Sequence, residues 1–131
     1  MTNKLLALAG SLVVANALAA DPIHGTWKTV PDDNGNFGHV VITDCDGRIC
    51  GTLETSFDSS GASLPSENIG KQIIWDMKAE GSGKYAGGKI WSPDRDKVYK
   101  SKLELLDNDS LAVSGCILFI CRDGGTWERV D

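Results

Sequence analysis

Short runs of β-branched and aromatic residues recur along the chain from residue 24 onward, and clusters of Gly, Asn, Asp and Ser separate them. Alternation of apolar and polar positions is typical of strands with one face on a core and the other in solvent. It is clearest at 97–106, where the odd positions from Tyr99 to Leu105 are predicted to face inward and the even positions from Val98 to Glu104 outward. The pattern predicts strands at 24–30, 37–44, 48–55, 72–77, 84–91, 97–106, 110–116 and 124–130.

The segments between these strands are mostly short and rich in turn-forming residues, such as Asp46-Gly47. Short turns place consecutive strands side by side and antiparallel, and eight such strands can close into an up-and-down barrel without free edges. We therefore predict an all-β, eight-stranded antiparallel barrel, with a β-sandwich of the same strands as the alternative. The segment 56–70 is the longest predicted loop, and loops of this length are often functional or mobile.

The first twenty residues are typical of a secretory signal peptide, because Lys4 precedes an uncharged apolar stretch that ends in small residues. Cleavage is expected after Ala19 or Ala20, which leaves residues 21–131 as a single domain. The apolar stretch is shorter than the roughly 20 residues of a transmembrane helix, and no later segment approaches that length. We expect a soluble monomer in the periplasm of a Gram-negative bacterium.

Loss of residues 1–20 removes one charged side chain, Lys4, and changes the net charge from −5 to −6. The remaining Lys and Arg residues are scattered among acidic residues. This argues against a nucleic-acid partner, because phosphate binding requires clustered basic side chains. An acidic surface keeps a small protein soluble and is also compatible with a basic protein partner.

The four cysteines form two pairs, each with four residues in between: Cys45 and Cys50, and Cys116 and Cys121. An even number of cysteines in an exported chain favours disulfides over a zinc site. Among the possible connectivities, this spacing favours two local bridges, Cys45 with Cys50 and Cys116 with Cys121.

Several short motifs occur in a fixed order that resembles one family of small exported bacterial proteins, catalogued as domain of unknown function 2147. The motifs are D-P-I-H-G-T-W at 21–27, C-D-G-R-I-C-G at 45–51, G-G-K-I at 87–90, S-P-D at 92–94, L-A-V-S-G-C at 111–116 and T-W-E-R-V at 126–130. The resemblance covers nearly all of residues 21–131. It implies membership of an exported family but no biochemical activity that can be carried over to named residues.

A looser resemblance links the chain to lipocalins and fatty-acid-binding proteins, in which an N-terminal Gly-x-Trp packs beneath an Arg from the last strand. Gly25-Thr26-Trp27 and Arg129 match this arrangement. The physical basis is that a Trp face accepts a guanidinium group by stacking, while Arg keeps its charge in a partly buried setting. The resemblance implies a structural role for Trp27 and Arg129 in closing the barrel floor.

Trp75, Tyr85, Trp91 and Tyr99 fall on three consecutive predicted strands, and all four are predicted to face the barrel interior. Aromatic side chains with polar edges are typical of small-molecule sites, but they also fill the cores of small barrels. We predict that these four residues line a site for a small apolar or lipid-like ligand, without a cofactor or a metal ion.

Candidate catalytic groups are sparse. His24 and His39 have no nucleophile motif beside them, and the acidic pair of Asp94 and Asp96 lacks the further carboxylates of a calcium loop. These features favour a non-enzymatic binding protein over an enzyme.

The alternative function is a protein-interaction module, such as a periplasmic inhibitor of a basic cell-wall hydrolase. Ser82-Gly83-Lys84-Tyr85 is similar to the Ser-Gly-rich loop, ending near a Tyr, that such inhibitors insert into the enzyme cleft, although it is one residue short of that pattern.

Overall fold

A computed structural model describes residues 21–131, so the predicted signal peptide at 1–20 lies outside the described residues. The described chain forms a closed antiparallel barrel in which each strand pairs with the next in sequence. The strands are β1 (Gly25–Lys28), β2 (Phe37–Cys45), β3 (Arg48–Phe57), β4 (Gln72–Gly81), β5 (Lys84–Ser92), β6 (Lys97–Asp107), β7 (Ser110–Ile117) and β8 (Ile120–Arg129). The predicted eight-stranded up-and-down barrel is therefore confirmed.

A short seam between the first and last strands closes the barrel. Trp27 pairs with Arg129 and Lys28 pairs with Glu128. This pairing excludes the β-sandwich alternative, because a sandwich leaves its sheets open at their edges.

The alternation predicted for β6 is present in the structure. Ser101 and Leu103 are buried, whereas Lys100, Lys102 and Glu104 are exposed. Each strand thus has one face on the core and one in solvent, as expected when an antiparallel sheet curls around its own interior.

β1 is shorter than predicted, most other strands end one or two residues later, and two strands, β4 and β8, extend four residues beyond their predicted bounds. β4 continues past Met77 to Gly81, and it does so through an irregularity at Asp76, which has a left-handed backbone conformation with φ of 57°. β8 begins at Ile120 rather than at 124, because the polar residues around Arg122 continue the pairing with β7. Neither strand extension interrupts the order of the barrel.

The two ends of the barrel differ in how they are filled. We call the end that holds residues 21–24 and the β2–β3, β4–β5 and β6–β7 turns the closed end, and the opposite end the open end. The largest fully buried side chains occupy the middle and the closed end of the barrel. They are Trp27, Ile23, Ile42, Ile74, Met77, Leu103, Leu111 and Val40.

Candidate functional site

The closed end is sealed by Trp27 and Arg129. The Trp27 side chain is fully buried, and its Nε1–H donates to the carbonyl of Ile23 at 2.9 Å. The Arg129 guanidinium lies 4.4 Å from the centre of the Trp27 ring, within the range of a cation–π contact. The structure thus brings together the two residues that the Gly-x-Trp motif links.

Arg129 also ties the segment before β1 across the floor. Its Nη1 donates to the carbonyl of His24 at 2.8 Å and its Nη2 to that of Pro22 at 2.6 Å. Nε donates to the carbonyl of Asn108 at 2.6 Å. These bonds satisfy the guanidinium and keep solvent away from the Trp27 ring.

Tyr85 belongs to the same closed end. Its ring is buried, and its hydroxyl donates to a carboxylate oxygen of Asp21. Burial is the main cause that raises the pKa of Tyr85 above its ordinary value, and the hydrogen bond to Asp21 and the negative charge of that carboxylate raise it further. Asp21 also accepts the backbone N–H of Ile23 at 3.0 Å, so one carboxylate fastens both Tyr85 and the chain before β1.

A cavity of about 1160 Å³ opens at the other end of the barrel. Its volume is slightly above the roughly 300–1,000 Å³ of typical small-molecule sites. The inner wall is apolar and includes Leu53, Ile73, Ile90, Val113 and Trp127. None of the eight fully buried residues lines this cavity. The half of the barrel at the closed end is therefore filled by side chains, and the half at the open end is hollow.

The rim of the cavity is polar and comes from the loops that join the strands at the open end. It includes Asp32 from the β1–β2 loop, Asn68 from the β3–β4 loop, Arg95 from the β5–β6 turn, and Arg122 and Asp123 from β8. An apolar interior with a ring of polar and charged groups suits a ligand that is apolar along its length and polar at one end.

Two of the four predicted pocket residues, Trp91 and Tyr99, line this cavity. Trp91 is half-buried at the rim, where its Nε1–H donates to Asp96 at 2.9 Å. The Lys71 ammonium lies 3.9 Å from the centre of the Trp91 ring. These two contacts hold the indole in one orientation and place one carboxylate and one ammonium group beside it at the rim.

The other two, Trp75 and Tyr85, do not line the cavity, and here the structure differs from the expectation. Trp75 pairs with Lys89, whose side chain is exposed, so this pair lies on the outer side of the barrel. The cause is the irregularity at Asp76, which lets Ile74 and Met77 face the core although they are three positions apart. Tyr85 faces inward but lies in the filled half.

The loop after β3 forms part of the mouth and has an ordered hydrogen-bond pattern. The Asp58 carboxylate accepts the Ser60 hydroxyl at 2.6 Å and the backbone N–H of Ala62 at 3.0 Å. The Ser60 hydrogen bond is the main cause that lowers the pKa of Asp58 below 3.8, its ordinary value. The loop then contributes Leu64 to the cavity lining.

The hairpin between β7 and β8 carries a feature that the sequence-based prediction missed. Ile117, Leu118, Phe119 and Ile120 are 62%, 80%, 100% and 69% exposed, and all four border the mouth of the cavity. We call these four residues the apolar tip. The sequence does show an unbroken apolar run at a turn, where polar residues are normal. That this turn lies at the mouth of the cavity follows only from the way the barrel closes.

The two cysteine pairs form disulfides at opposite ends of the barrel. Cys45 and Cys50 clamp the β2–β3 turn at the closed end, with Cα atoms 5.9 Å apart. Cys116 and Cys121 clamp the base of the apolar tip at the open end, with Cα atoms 4.0 Å apart. Each bridge therefore stiffens one hairpin and does not link distant strands.

Comparison with protein families gives a match over residues 25–129, which is almost the whole barrel. The matching family is described as an uncharacterized protein conserved in bacteria, domain of unknown function 2147. The chain belongs to this family. The match includes both ends of the closing seam and all four cysteines.

A solved structure supports a lipocalin-like fold for this member of the family. The protein HP1028 from the human pathogen Helicobacter pylori, described as belonging to the lipocalin family, superposes with a TM-score of 0.67. The identity is 16%, and the superposition covers 86% of this chain and 85% of that chain. At this identity the likeness shows the fold alone. No curated protein sequence matches the chain.

The loop that motivated the inhibitor alternative lies at the closed end of this family member. Ser82 and Gly83 form the β4–β5 turn, both with positive φ, and Tyr85 is buried under residues 21–24. A Tyr held inside the barrel offers no side chain to an enzyme cleft.

Two further properties concern the described part of the chain. Residues 21–131 contain no group of three or more His, Cys, Asp or Glu side chains placed to hold a metal ion. No helix among them has the length and apolar character needed to cross a membrane.

Proposed function

We propose that this protein is an exported, periplasmic binder of a small apolar or amphipathic molecule, which it holds in the cavity at the open end. The observation that carries the proposal is the division of the barrel into a filled half and a hollow half with apolar walls. An eight-stranded barrel has just enough interior either to be filled by side chains or to hold one small ligand. Here side chains fill only the closed half.

Charged and aromatic groups at the rim support the amphipathic character of the ligand. Arg95 and Arg122 border the mouth, and Lys71 stacks over Trp91 beside it. Asp32, Asp94 and Asp123 border the same mouth. A polar or charged outer end of a ligand would therefore meet groups of both signs without losing contact with water, which avoids the large cost of a buried charge.

The proposed export rests on the signal-peptide pattern at 1–20 and is supported by the two disulfides, since such bridges persist in oxidising compartments. Mass spectrometry of protein from a periplasmic extract tests it. The expected mass corresponds to cleavage after Ala19 or Ala20, with one hydrogen lost per cysteine. An uncleaved, reduced chain in the cytoplasmic fraction would contradict it.

Ligand binding is tested by titrating the purified protein with N-phenyl-1-naphthylamine, a neutral apolar dye that fluoresces in dry surroundings. Saturable binding of one dye per barrel is expected. Ile90→Trp, which adds bulk inside the cavity, should abolish it. Trp91→Ala should weaken it about tenfold, because an aromatic wall contributes on the order of 1–1.5 kcal/mol.

Trp75→Ala is the matched control, since it removes the same side chain from the outer side of the barrel and should leave the affinity unchanged. Dye binding that survives Ile90→Trp but disappears in Phe119→Asp would place the dye on the apolar tip and refute the cavity as the site. Native mass spectrometry of gently purified protein adds an independent readout, because a resident ligand is seen as extra mass lost on denaturation.

A further inference from the structure

The apolar tip places four consecutive large hydrophobic side chains in water. Soluble proteins seldom expose contiguous apolar groups of this kind unless the surface contacts another molecule. Phe119 is fully exposed, and its neighbour Leu118 is held in a left-handed turn conformation with φ of 56°. The Cys116–Cys121 bridge joins the two strands at the base of the tip.

A row of lysines lies on the outer face of the barrel beside the tip. Lys89 on β5 pairs directly with Lys100 on β6, and Lys100 pairs with Cys116 at the base of the tip. Lys102 follows on the same face, and its neighbour on β7 is Ser114. These three lysines border a groove whose far side is Leu118 and Phe119. We call Lys89, Lys100 and Lys102 the lysine row.

The lysine row forms no ion pair within the described barrel. Like charges placed directly opposite on neighbouring strands destabilise a sheet. Among residues 21–131, only Arg129 has a carboxylate oxygen within 4.0 Å of its side-chain nitrogens. Glu104 follows Lys102 by two positions on the same face, and Asp123 pairs with Ser114, but neither carboxylate lies within 4.0 Å of a lysine nitrogen. The repulsion between Lys89 and Lys100 would be relieved if both lysines bound an anionic group of another molecule.

We propose that the open end docks on an anionic lipid surface, with the apolar tip inserted between headgroups and the lysine row resting on their phosphates. Amphipathic surfaces bind membranes by this combination of apolar burial and attraction to anionic lipid. The side chains that would insert also border the cavity mouth, so docking turns the mouth toward the lipid. The proposal concerns this outer surface and does not require that the cavity be occupied.

Vesicle flotation tests the proposal with protein purified from cells that express the complete sequence. Wild-type protein should float at low ionic strength with vesicles of equimolar phosphatidylethanolamine and phosphatidylglycerol, and much less with phosphatidylcholine alone. Phe119→Asp should weaken binding at least about tenfold, since it puts a charge where an apolar group must be buried. The double variant K89Q/K100Q should lose about fivefold per lysine on the anionic vesicles only.

Two controls match these variants. Leu106→Asp changes an exposed apolar residue at the closed end, and Lys84→Gln removes an exposed lysine that follows the β4–β5 turn at the same end. Both should bind as the wild type does. Because Phe119 has no buried surface, Phe119→Asp should keep the wild-type unfolding midpoint, so a loss of flotation is not a loss of fold.

The proposal is overturned if wild-type protein stays unbound with anionic vesicles at low salt, or if Phe119→Asp floats as well as the wild type. It is also overturned if the tip serves a second copy of the chain. In that case sedimentation shows a wild-type dimer and a monomeric Phe119→Asp variant, and neither floats. These outcomes are independent of dye binding, which Ile90→Trp tests separately.

Discussion

At the scale of single residues, the closed end depends on partly buried polar groups that are hydrogen-bonded to one another. The Tyr85 hydroxyl and the Asp21 carboxylate satisfy each other, and the Arg129 guanidinium satisfies the carbonyls of residues before β1. A buried polar group without a partner costs more than its hydrogen bond contributes. The closed end is therefore sensitive to changes that leave one partner alone.

Replacing Tyr85 by Phe should lower the free energy of unfolding by about 1–3 kcal/mol, because the Asp21 carboxylate loses a donor. The variant should also change the pH dependence. Because burial raises the pKa of Tyr85 above the ordinary value of 10.0, the neutral phenol stabilises the fold fully below pH 10, and this stability is lost as the pH rises further. Urea titrations from pH 7 to 11 should show a steeper alkaline decline in the wild type than in the Phe variant. Parallel declines would contradict this assignment.

At the scale of strands, the contact between β4 and β5 is closest at Gly88. A Cβ placed on Gly88 would lie 2.6 Å from the backbone N of Met77, and the neighbouring carbonyl of Trp75 is closer still. At the adjacent Gly87 the limit is backbone conformation, since an added Cβ would meet only the Lys78 side chain, at 3.8 Å, but φ is 85°. The two glycines therefore serve different needs, one of space and one of backbone conformation.

These needs predict different costs for the same substitution. Gly88→Ala must push two backbones apart and should lower the free energy of unfolding by more than about 3 kcal/mol. Gly87→Ala should cost about 1–2 kcal/mol, the penalty of a left-handed conformation with a side chain. Chemical denaturation of the two variants measures both values. Equal costs would show that the strands can separate at Gly88.

The strands could be predicted because each alternates apolar and polar residues between turn-forming clusters, and that information lies within each strand. The orientation of Trp75 could not, since the irregularity at Asp76 depends on how β4 pairs with its neighbours. Alternation predicts the inward orientation of Tyr99. It does not explain Trp91, which pairs with the exposed Val98 and borders the cavity at its rim. From the sequence, the apolar tip is only the four-residue segment between Cys116 and Cys121. Its exposure could not be predicted, because it depends on the position of that turn at the mouth of the barrel.

At the scale of the whole molecule, the barrel has a filled half and a hollow half along its axis. Trp27 lies in the filled half with no exposed surface, whereas Trp91 lies half-buried at the mouth. Trp27→Ala should lower the free energy of unfolding by about 3–5 kcal/mol, because it leaves a large cavity in a packed core. Trp91→Ala should change it by less than about 1.5 kcal/mol. The urea unfolding midpoints of the two variants measure these losses. Similar losses of stability would mean that the mouth is also part of the packed core.

The seam that closes the barrel joins the two ends of the described chain, and the bond from Arg129 to Pro22 spans 107 positions of sequence. Every other strand pair joins neighbours in sequence, so hairpins can form locally while the seam must wait for the last strand. Contacts of such long range slow folding. β1 therefore remains an unpaired edge until β8 arrives, and in that interval the half-built sheet is open to strands of other chains. A chaperone that shields β1 would act at the step where this protein is most prone to aggregate.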